Sequence, residues 1–317
     1  MDARVSFPVG AAPAAAFDLP AWSAARLRQV EDALDRWVTA DPPAGLDHGA
    51  PAELVQAMRY AVLDGGKRLR PLLVLGACEA VRGDQQAAIR AACAAELIHA
   101  YSLVHDDMPC MDNDVLRRGK ATVHVQFGEA TALLAGDALQ ALAFELLTPE
   151  DPRVPAGMQA QWCRLLARAA GSAGMAGGQA IDLASVGCRL SEKQLRDMHE
   201  LKTGALLQGS VMMGAACGHA SAGQTSALAA FGAAIGLAFQ VVDDILDVTA
   251  DSLTLGKTAG KDAVADKPTY VSVLGLQRSY AYAQELLDQA LAALERGALA
   301  QPQPLIALAD MVVNRSS

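Results

Sequence analysis

The sequence predicts an all-α fold, and its composition and patterning carry that prediction. Apolar residues make up 52% of the 317-residue chain, with Ala and Leu foremost among them, and aromatic residues contribute only 4%. Ala and Leu are strong helix formers, whereas strands favour β-branched and aromatic side chains. Several long segments are apolar on nearly every face, a pattern typical of helices at the centre of a large helical assembly. We find no run of alternating strands and no repeat of about 20–50 residues.

One domain accounts for most of the chain. Residues 1–20 look irregular, and the stretch TADPPAGLDHGAP at 39–51 ends whatever helix precedes it. From there to the C-terminal end the pattern is a succession of helical segments. We therefore expect an N-terminal segment with a first helix over 1–50 and one helical domain over 51–317.

Gly and Pro residues separate the predicted helices in turn. Gly65 and Gly66 lie between the first two helices of the domain, Pro109 follows the third, and Gly119 and Gly128 precede the fourth. The later segments are long and strongly apolar, as in ALAAFGAAIGLAFQVVDDILDV. The predicted helices cover roughly 52–63, 69–82, 84–107, 129–147, 155–174, 191–217, 223–249, 268–297 and 303–315.

The charge of the chain disfavours some classes of partner. The formal net charge is −9 and the sequence pI is about 5.1, so we expect no nucleic-acid partner. An acidic protein that binds an anion must do so locally, through placed cations or metal ions.

Cysteine spacing and the N-terminal sequence indicate the compartment. The six cysteines form no C-x-x-C pair, so we expect reduced thiols rather than disulfides or zinc ligands. The N-terminal residues lack a basic region followed by an apolar core, and we find no stretch of the roughly 18 uncharged apolar residues that a membrane span requires. We predict a soluble, cytoplasmic protein without stable membrane insertion.

The first acidic wall comprises Asp106, Asp107 and Asp112 in the segment HDDMPCMDND. Asp106 and Asp107 end an apolar helix, and Pro109 stops regular helix after them. A short bulged loop can then carry Asp112 back beside Asp106. Oxygen ligands from one or two carboxylates, with the remaining positions left to water and phosphate, describe a Mg²⁺ site shared with a substrate.

The second acidic wall comprises Asp243, Asp244 and Asp247 in the segment FQVVDDILDV. On a helix, Asp243 and Asp247 share a face, and Gln240 lies one turn before them. Such a triplet is most often a solvated helix end, but here Val, Ile and Leu limit its solvation. Carboxylates in apolar surroundings take up protons unless a cation keeps them charged. A bound divalent metal resolves that conflict.

Basic residues gather in a few separate segments. Any one of them is most often a plain surface charge, but together they fit two anion sites, one bridged by metal between the acidic walls and one held by Lys and Arg directly. They are Lys67, Arg68 and Arg70 in DGGKRLRP, Arg117, Arg118 and Lys120 after the first acidic wall, Lys202 beside Thr203 in ELKTGAL, and Lys257, Lys261 and Lys267.

These segments together resemble a known family. GGKRLRP, HAYSLVHDDMPCMDNDVLRRGKATVH, GDAL, GGQAIDL, LKTGALL, FQVVDDILD and LGKTAGKD are similar, in order and spacing, to motifs of the isoprenyl diphosphate synthases, the trans-prenyltransferases. The likeness runs from about residue 51 to the C-terminus and looks closest to the bacterial farnesyl diphosphate synthases. It implies an all-α bundle of the isoprenoid synthase type around a deep central cavity.

The resemblance also implies an activity and a set of site residues. The family condenses isopentenyl diphosphate head to tail with dimethylallyl or geranyl diphosphate, and its members are commonly homodimers. Metal ligands would be the two acidic walls, holding about three Mg²⁺ ions, for which Mn²⁺ can substitute. The allylic diphosphate would be bound by Arg117, Lys202 and Lys257, isopentenyl diphosphate by Lys67, Arg70, His99 and Arg118, and the allylic cation would face Thr203 and Gln240. Gln179, Asp182 and Lys267 would line the pocket.

Chain length is expected to depend on the residues just before the first acidic wall. Tyr101 and Ser102 lie five and four residues ahead of Asp106, so Tyr101 can point into the same cavity. The resemblance associates an aromatic residue at this place with a fifteen-carbon product. The other interpretation is that Tyr101 is an ordinary core residue.

Several alternatives remain open from the sequence. A synthase that makes geranylgeranyl diphosphate differs only in the cavity and is the main rival. A class I terpene cyclase usually replaces the second Asp-rich motif with an Asn/Ser/Glu-type metal triad and has no need of a second diphosphate site. Here the second wall is Asp-rich, and Lys67, Arg70 and His99 are all present, which disfavours a cyclase. A non-catalytic synthase subunit could lose its aspartates, yet this chain retains both acidic walls.

Some residues near the motifs receive no chemical role. We interpret His105 and His124 as structural and Cys110 as a spacer, since a thiolate suits a softer metal than Mg²⁺. Arg315 lies at the C-terminal end, where the chain could cover the second diphosphate site.

Overall fold

The computed structural model describes residues 17–41, 48–63, 65–249 and 268–315, and the predicted all-α fold is confirmed. A π-helical turn, Glu200–Gly204, joins α9 to α10. The helices are α1 Leu19–Trp37, α2 Ala52–Val62, α3 Leu69–Ala80, α4 Gln85–Asp106, α5 Val123–Phe127, α6 Glu129–Leu147, α7 Ala156–Ala170, α8 Met175–Ala184, α9 Glu192–His199, α10 Ala205–Ala215, α11 Ala222–Thr249, α12 Tyr270–Leu274, α13 Leu276–Arg296 and α14 Gln303–Val313.

The helix boundaries differ from the prediction at glycine turns. The helix predicted over 155–174 ends at Ala170, and α8 is a separate helix that the sequence analysis did not predict. A Cβ atom at Gly174 would lie 2.4 Å from the carbonyl oxygen of Arg168, so the turn excludes any side chain there. The helix predicted over 268–297 is interrupted at Gly275, whose φ of +80° is in the left-handed region that glycine adopts readily.

A short hairpin lies between α4 and α6, where no strand was predicted. Strands β1 (Leu116–Arg117) and β2 (Lys120–Ala121) pair in antiparallel register. Their turn residues, Arg118 and Gly119, have φ values of +52° and +77°. Two successive positive φ values match the twist of a two-residue hairpin. The hairpin leads through α5 into α6.

Helices α4 and α11 lie at the centre of the bundle. Helix α4 packs against α6 and α3, and α11 packs against α13 and α10. Leu97 and Ile98 of α4 and Phe231 and Ile235 of α11 have no exposed surface. Because both helices are apolar on most faces, they are stable only where protein surrounds them. The first acidic wall begins at the last turn of α4, and the second lies in the last turns of α11.

Three helices are long and apolar enough to cross a membrane by length and composition, so the expectation that no stretch met this requirement was wrong. They are α4, α6 and α11, and 78%, 39% and 56% of their most apolar windows are buried inside the fold. A few charged residues do not abolish the apolar character of such a helix. Neighbouring helices cover most of α4 and more than half of α11, whereas α6 leaves Leu133 and Leu134 exposed.

Candidate active site

A cavity of about 360 Å³ opens between the end of α4, helix α8 and the π-helical turn. Residues predicted to bind diphosphate or metal line this cavity, and so do the residues predicted to determine chain length. The lining residues are Arg70, His99, Tyr101, Ser102, Leu103, His105, Asp106, Met111, Met175, Ala176, Gln179, Ala180, Leu183, Lys202 and Thr203. The cavity therefore brings together residues from several of the predicted sites.

The loop after α4 brings Asp112 back to Asp106. The backbone N–H of Asp112 donates to the carbonyl oxygen of Asp106 at 2.8 Å, and Asn113 follows with a φ of +52°. Burial raises the pKa of Asp106 to about 6; Lys202 opposes the shift and Asp112 adds to it. The two carboxylates thus lie close together, and a nearby positive charge would offset their repulsion.

Asp107 takes a different position from Asp106. Its carboxylate is buried and accepts three hydrogen bonds from Arg117, at 2.5–3.0 Å. Asp107 and Arg117 also line a separate cavity of about 50 Å³ together with Arg118 and Tyr60. Asp107 was predicted as a metal ligand and Arg117 as a diphosphate ligand; in this structure they bind each other.

The second acidic wall is divided in the same way. Asp244 is buried and accepts hydrogen bonds from the side chain of Gln240 at 2.8 Å and from the backbone N–H of Tyr270 at 2.7 Å. Asp243 is partly exposed and accepts a bond from Arg315 at 3.2 Å. Asp247 is buried, and its Oδ1 atom has no hydrogen-bond partner among the described residues.

The carboxylates suit Mg²⁺ as a bound ion. Their oxygen atoms are the hard ligands that Mg²⁺ prefers, and the orphaned Oδ1 of Asp247 is an acceptor that a cation would satisfy. Within residues 17–41, 48–63, 65–249 and 268–315, no group of three or more His, Cys, Asp and Glu side chains could hold an ion by itself. An ion held here would need substrate oxygens or water to complete its coordination, as is usual for Mg²⁺.

The π-helical turn presents Lys202 and Thr203 to the cavity. Lys202 forms an ion pair with the buried Asp182 of α8 at 2.5 Å, and Thr203 donates to the side-chain oxygen of Gln240 at 2.9 Å. A Cβ at Gly178 would lie 2.1 Å from the backbone nitrogen of Lys202, so the close packing of α8 on the turn requires glycine. Thr203 and Gln240 connect the cavity wall to the second acidic wall.

Three of the four residues predicted to bind isopentenyl diphosphate, His99, Arg70 and Arg118, influence one another electrostatically. Desolvation lowers the pKa of His99 well below its usual value, and the charges of Arg70 and Arg118 lower it further, so the imidazole is neutral at pH 7. Desolvation likewise lowers the pKa of Arg70 to about 10, with Glu96 opposing. Desolvation also lowers the pKa of Lys67; Arg315 adds to this shift and Asp243 opposes it. Arg70 and Arg118 thus form a positively charged surrounding for His99, whereas the charges that act on Lys67 are those of Arg315 and Asp243.

The C-terminal end of the described chain reaches this region. Besides Asp243, the guanidinium of Arg315 donates to the carbonyl oxygen of Phe239 at 3.0 Å and lies 4.0 Å above its ring. Its charge also lowers the pKa of Lys67. Arg315 therefore contacts the second acidic wall and influences Lys67, and the expectation that it covers the second diphosphate site stays a prediction.

Tyr101 lies in the cavity wall and is largely buried. Its ring packs edge-on against His105, with centroids 5.7 Å apart. Burial raises the pKa of its hydroxyl, and the side chain of Gln140 opposes that shift. Ser102 also lines the cavity, but its hydroxyl donates to the carbonyl oxygen of His99 at 2.8 Å. Both residues predicted to affect chain length are present in the wall.

Sequence reasoning missed part of the cavity lining. His105, Met111, Met175 and Leu183 all contribute to it, although an isolated His or Met carries no recognisable signal. The ring of His105 fits closely over Gly136 of α6, where a Cβ would lie 2.0 Å from Nε2. Lys257, Lys261 and Lys267, predicted near the allylic diphosphate or the pocket, lie outside the described residues.

Comparisons with known proteins find relatives over most of the chain. A sequence model described as polyprenyl synthetase matches residues 51–301. The chain is 49% identical over 273 residues to a probable farnesyl diphosphate synthase of Sinorhizobium fredii, covering 85% of this chain and 80% of the relative. It is 44% identical over 303 residues to geranylgeranyl pyrophosphate synthase 4 of Arabidopsis thaliana, covering 95% and 79%. The crystal structure of an FPP/GFPP synthase from Zymomonas mobilis matches with a TM-score of 0.80 at 39% identity, covering 93% of this chain and 98% of that one.

Proposed function

The chain belongs to the polyprenyl synthetase family and is a prenyltransferase that elongates prenyl chains; we propose that it condenses isopentenyl diphosphate with dimethylallyl or geranyl diphosphate to give farnesyl diphosphate. The resemblance of its motifs to bacterial farnesyl diphosphate synthases, and the relative of that name in Sinorhizobium fredii, support this product.

One observation carries the proposal for the product. Asp106 and Tyr101 line the same cavity on one helix, and five residues of helix place their Cα atoms about 7.5 Å apart along the axis. The ring of Tyr101 packs edge-on against His105. A prenyl chain that grows from a diphosphate at Asp106 would therefore meet a fixed aromatic ring in the cavity wall.

Geranylgeranyl diphosphate is the second candidate product. The Arabidopsis relative carries that name, and it covers nearly the whole of this chain. This product requires a cavity that admits one more five-carbon unit beyond Tyr101.

The residues of the chain account for the stages of the proposed reaction. Lys202 and Arg117 would stabilise the negative charge that develops on the leaving diphosphate as the allylic C–O bond breaks. A bound Mg²⁺ would act there as a Lewis acid and a template. The oxygen atoms of Thr203 and Gln240 would face the allylic cation, and the apolar residues of the cavity would exclude water from it.

The second diphosphate would be held by Lys67, Arg70 and Arg118, which would orient the isopentenyl double bond toward the cation. The double bond attacks, a new C–C bond forms, and a proton is then lost from the resulting tertiary cation. The departed diphosphate is the base in this proposal, and no side chain is needed for that step.

A homodimer is the proposed assembly. Helix α6 is apolar enough to be a membrane span, yet only 39% of its apolar window is buried, and Leu133 and Leu134 are exposed on it. An exposed apolar face of this kind is typical of a subunit interface. Light scattering would test the assembly, and a monomer at micromolar concentration would contradict it. A cytoplasmic location stays a prediction.

The function is tested by incubating the purified protein with Mg²⁺, isopentenyl diphosphate and either dimethylallyl or geranyl diphosphate. After removal of the diphosphate, chromatography would size the product alcohols. We expect mainly the fifteen-carbon alcohol and no product in excess EDTA. A mainly twenty-carbon alcohol would support the second candidate, and the absence of any condensation product would refute the proposed reaction.

A further inference from the structure

The segment of residues 65–70, here named the 65–70 loop, contains Lys67 and ends at Arg70 in the first turn of α3, and its backbone is unusual. Gly65 and Gly66 have φ values of +74° and +128°, and Arg68 has a φ of +46°. A positive φ is ordinary for glycine but costs free energy at a residue with a side chain. The surrounding contacts must therefore hold Arg68 in this conformation, between the two cations predicted to bind a diphosphate.

The side chain of Arg68 supplies those contacts and does not face the cavity. Its guanidinium is buried and donates to both carboxylate oxygens of Glu31, at 2.7 and 3.2 Å, and to Glu96 at 2.7 Å. It also donates to the carbonyl oxygen of Val62 at 2.5 Å. One guanidinium thus connects the loop to α1, to α4 and to the end of α2.

Arg118 holds the same loop from the opposite side. Its guanidinium donates to the carbonyl oxygen of Gly65 at 2.6 Å, and a Cβ at Gly66 would lie 2.7 Å from its Nη1. The two arginines leave little conformational freedom to the residues between them. Such preorganisation favours the binding of a ligand, because less entropy is lost when the ligand is bound.

Glu96 also acts on Arg70 directly. It lies on α4 three residues before His99, and its charge opposes the desolvation that lowers the pKa of Arg70. A buried guanidinium paired with two carboxylates does not by itself show that the pairing stabilises the fold. The influence of Glu96 on Arg70 and the connection of Arg68 to the strained loop indicate that the pairing has a role in the site.

We infer that Glu31 and Glu96, acting through Arg68, are positioning residues for the binding of isopentenyl diphosphate by Lys67 and Arg70. This inference rests on the proposed function. It also gives α1 a part in the site, although α1 precedes residues 51–301, which the family comparison covers. The first helix is therefore a support for the diphosphate-binding loop and not only a cover for the core.

Helix α1 provides its own matched control. At its other end, Trp22 and Arg26 donate to Glu79 of α3 at 2.7–3.1 Å. Glu31 and Glu79 thus both join α1 to the region of α3, but the hydrogen bonds of Glu79 within the described part of the chain go to α1 and not to the 65–70 loop. Glu31→Gln and Glu79→Gln each replace a carboxylate by an amide of the same size.

The test compares these two variants with the wild-type protein and with Arg68→Lys, which keeps the charge but loses the planar fork. The dissociation constant of isopentenyl diphosphate is measured by calorimetry without allylic substrate or metal, and KM and kcat are measured in the full reaction. We expect Glu31→Gln and Arg68→Lys to raise both the dissociation constant and KM for isopentenyl diphosphate roughly tenfold, with a smaller change in KM for the allylic substrate. Glu79→Gln should lower the Tm and leave both constants unchanged.

Each outcome of these measurements either supports or contradicts the inference. If Glu31→Gln and Glu79→Gln both lower the Tm and neither changes isopentenyl diphosphate binding, the Glu31 contact is structural only and the inference is wrong. Because Glu31 is partly exposed, its variant should fold even if Arg68→Lys does not. A wild-type protein without condensation activity would refute the proposed function instead, since that result does not depend on any variant.

Discussion

The two acidic walls differ in backbone structure, but in each wall one Asp is fixed by hydrogen bonds within the protein and another is more accessible. In the first wall, Asp107 is held by Arg117 and Asp106 lines the cavity beside the returning Asp112. In the second wall, Asp244 is held by Gln240 and the backbone of Tyr270, while Asp243 is partly exposed. Each adjacent Asp pair thus has one buried carboxylate fixed by two or more hydrogen bonds and a second, more accessible carboxylate, which in the second wall is paired with Arg315.

The difference between the walls lies in what holds the engaged carboxylate. Arg117 neutralises the charge of Asp107, whereas Asp244 is held by a neutral amide and a backbone N–H. The first wall follows the end of a helix and needs a charged anchor to fix its loop. The second wall lies within the continuous helix α11, so its backbone is already fixed and neutral donors are sufficient.

The largest expected effect is loss of the site carboxylates in either wall. Asp106→Asn and Asp243→Asn should each lower kcat roughly 10³-fold, because in the proposed function each carboxylate supplies a charge for binding the metal ions on the diphosphate. Steady-state kinetics at saturating Mg²⁺ would measure this effect, and circular dichroism would confirm the fold. Asp288→Asn, on an exposed face of α13, is the control and should have no effect. A nearly normal rate for either variant would remove that wall from the site.

The next effect tests the charged anchor of the first wall. Arg117→Lys should lower kcat roughly tenfold to hundredfold, because lysine cannot reproduce the fork that binds both oxygens of Asp107. Arg153 makes a similar fork with Asp151 on the protein surface, so Arg153→Lys is a control of matched geometry. If Arg117→Lys and Arg153→Lys have equal rates, the contact between Arg117 and Asp107 contributes no more to catalysis than an ion pair on the surface.

A smaller change in rate, with a change in product, is expected at Tyr101. Tyr101→Ala should lengthen the main product by at least one five-carbon unit, because it removes the ring from the cavity wall. Tyr101→Phe keeps the ring and loses only the hydroxyl, so its product should match the wild type. Product sizing by chromatography checks both variants. An unchanged product from Tyr101→Ala would place the limit on chain length elsewhere.

The smallest effect separates the two buried carboxylates of the second wall in the absence of metal. Asp244→Asn should destabilise the protein by about 1–3 kcal/mol, since an amide cannot accept both of the bonds that Asp244 receives. Asp247→Asn should leave stability unchanged or raise it, because it removes a buried charge with an orphaned oxygen. Urea denaturation in EDTA would measure both. Similar losses for the two variants would contradict the distinction between them.

The positions of the acidic walls were predictable because they depend on local pattern. Apolar periodicity placed α4 and α11, and the proline after Asp107 indicated a loop that the backbone bond from Asp112 to Asp106 bears out. The tight turn at Gly174 and the close contact of Gly178 with Lys202 were not predictable. Both depend on how closely another segment of the backbone approaches the glycine, and a glycine in the sequence does not indicate such an approach.

The sequence alone determined the helical class of the chain, its family and the chemical types present at the site. Those properties depend on composition, periodicity and the order of short motifs, which are local. Only the tertiary structure decided which groups hold each carboxylate of the two Asp pairs and which residue of α1 contacts the 65–70 loop. Arg117 and Tyr270 lie 10 and 26 residues from their carboxylate partners, and Glu31 lies 37 residues from Arg68. Such contacts form because the packed helices bring distant side chains together, and no local pattern specifies them.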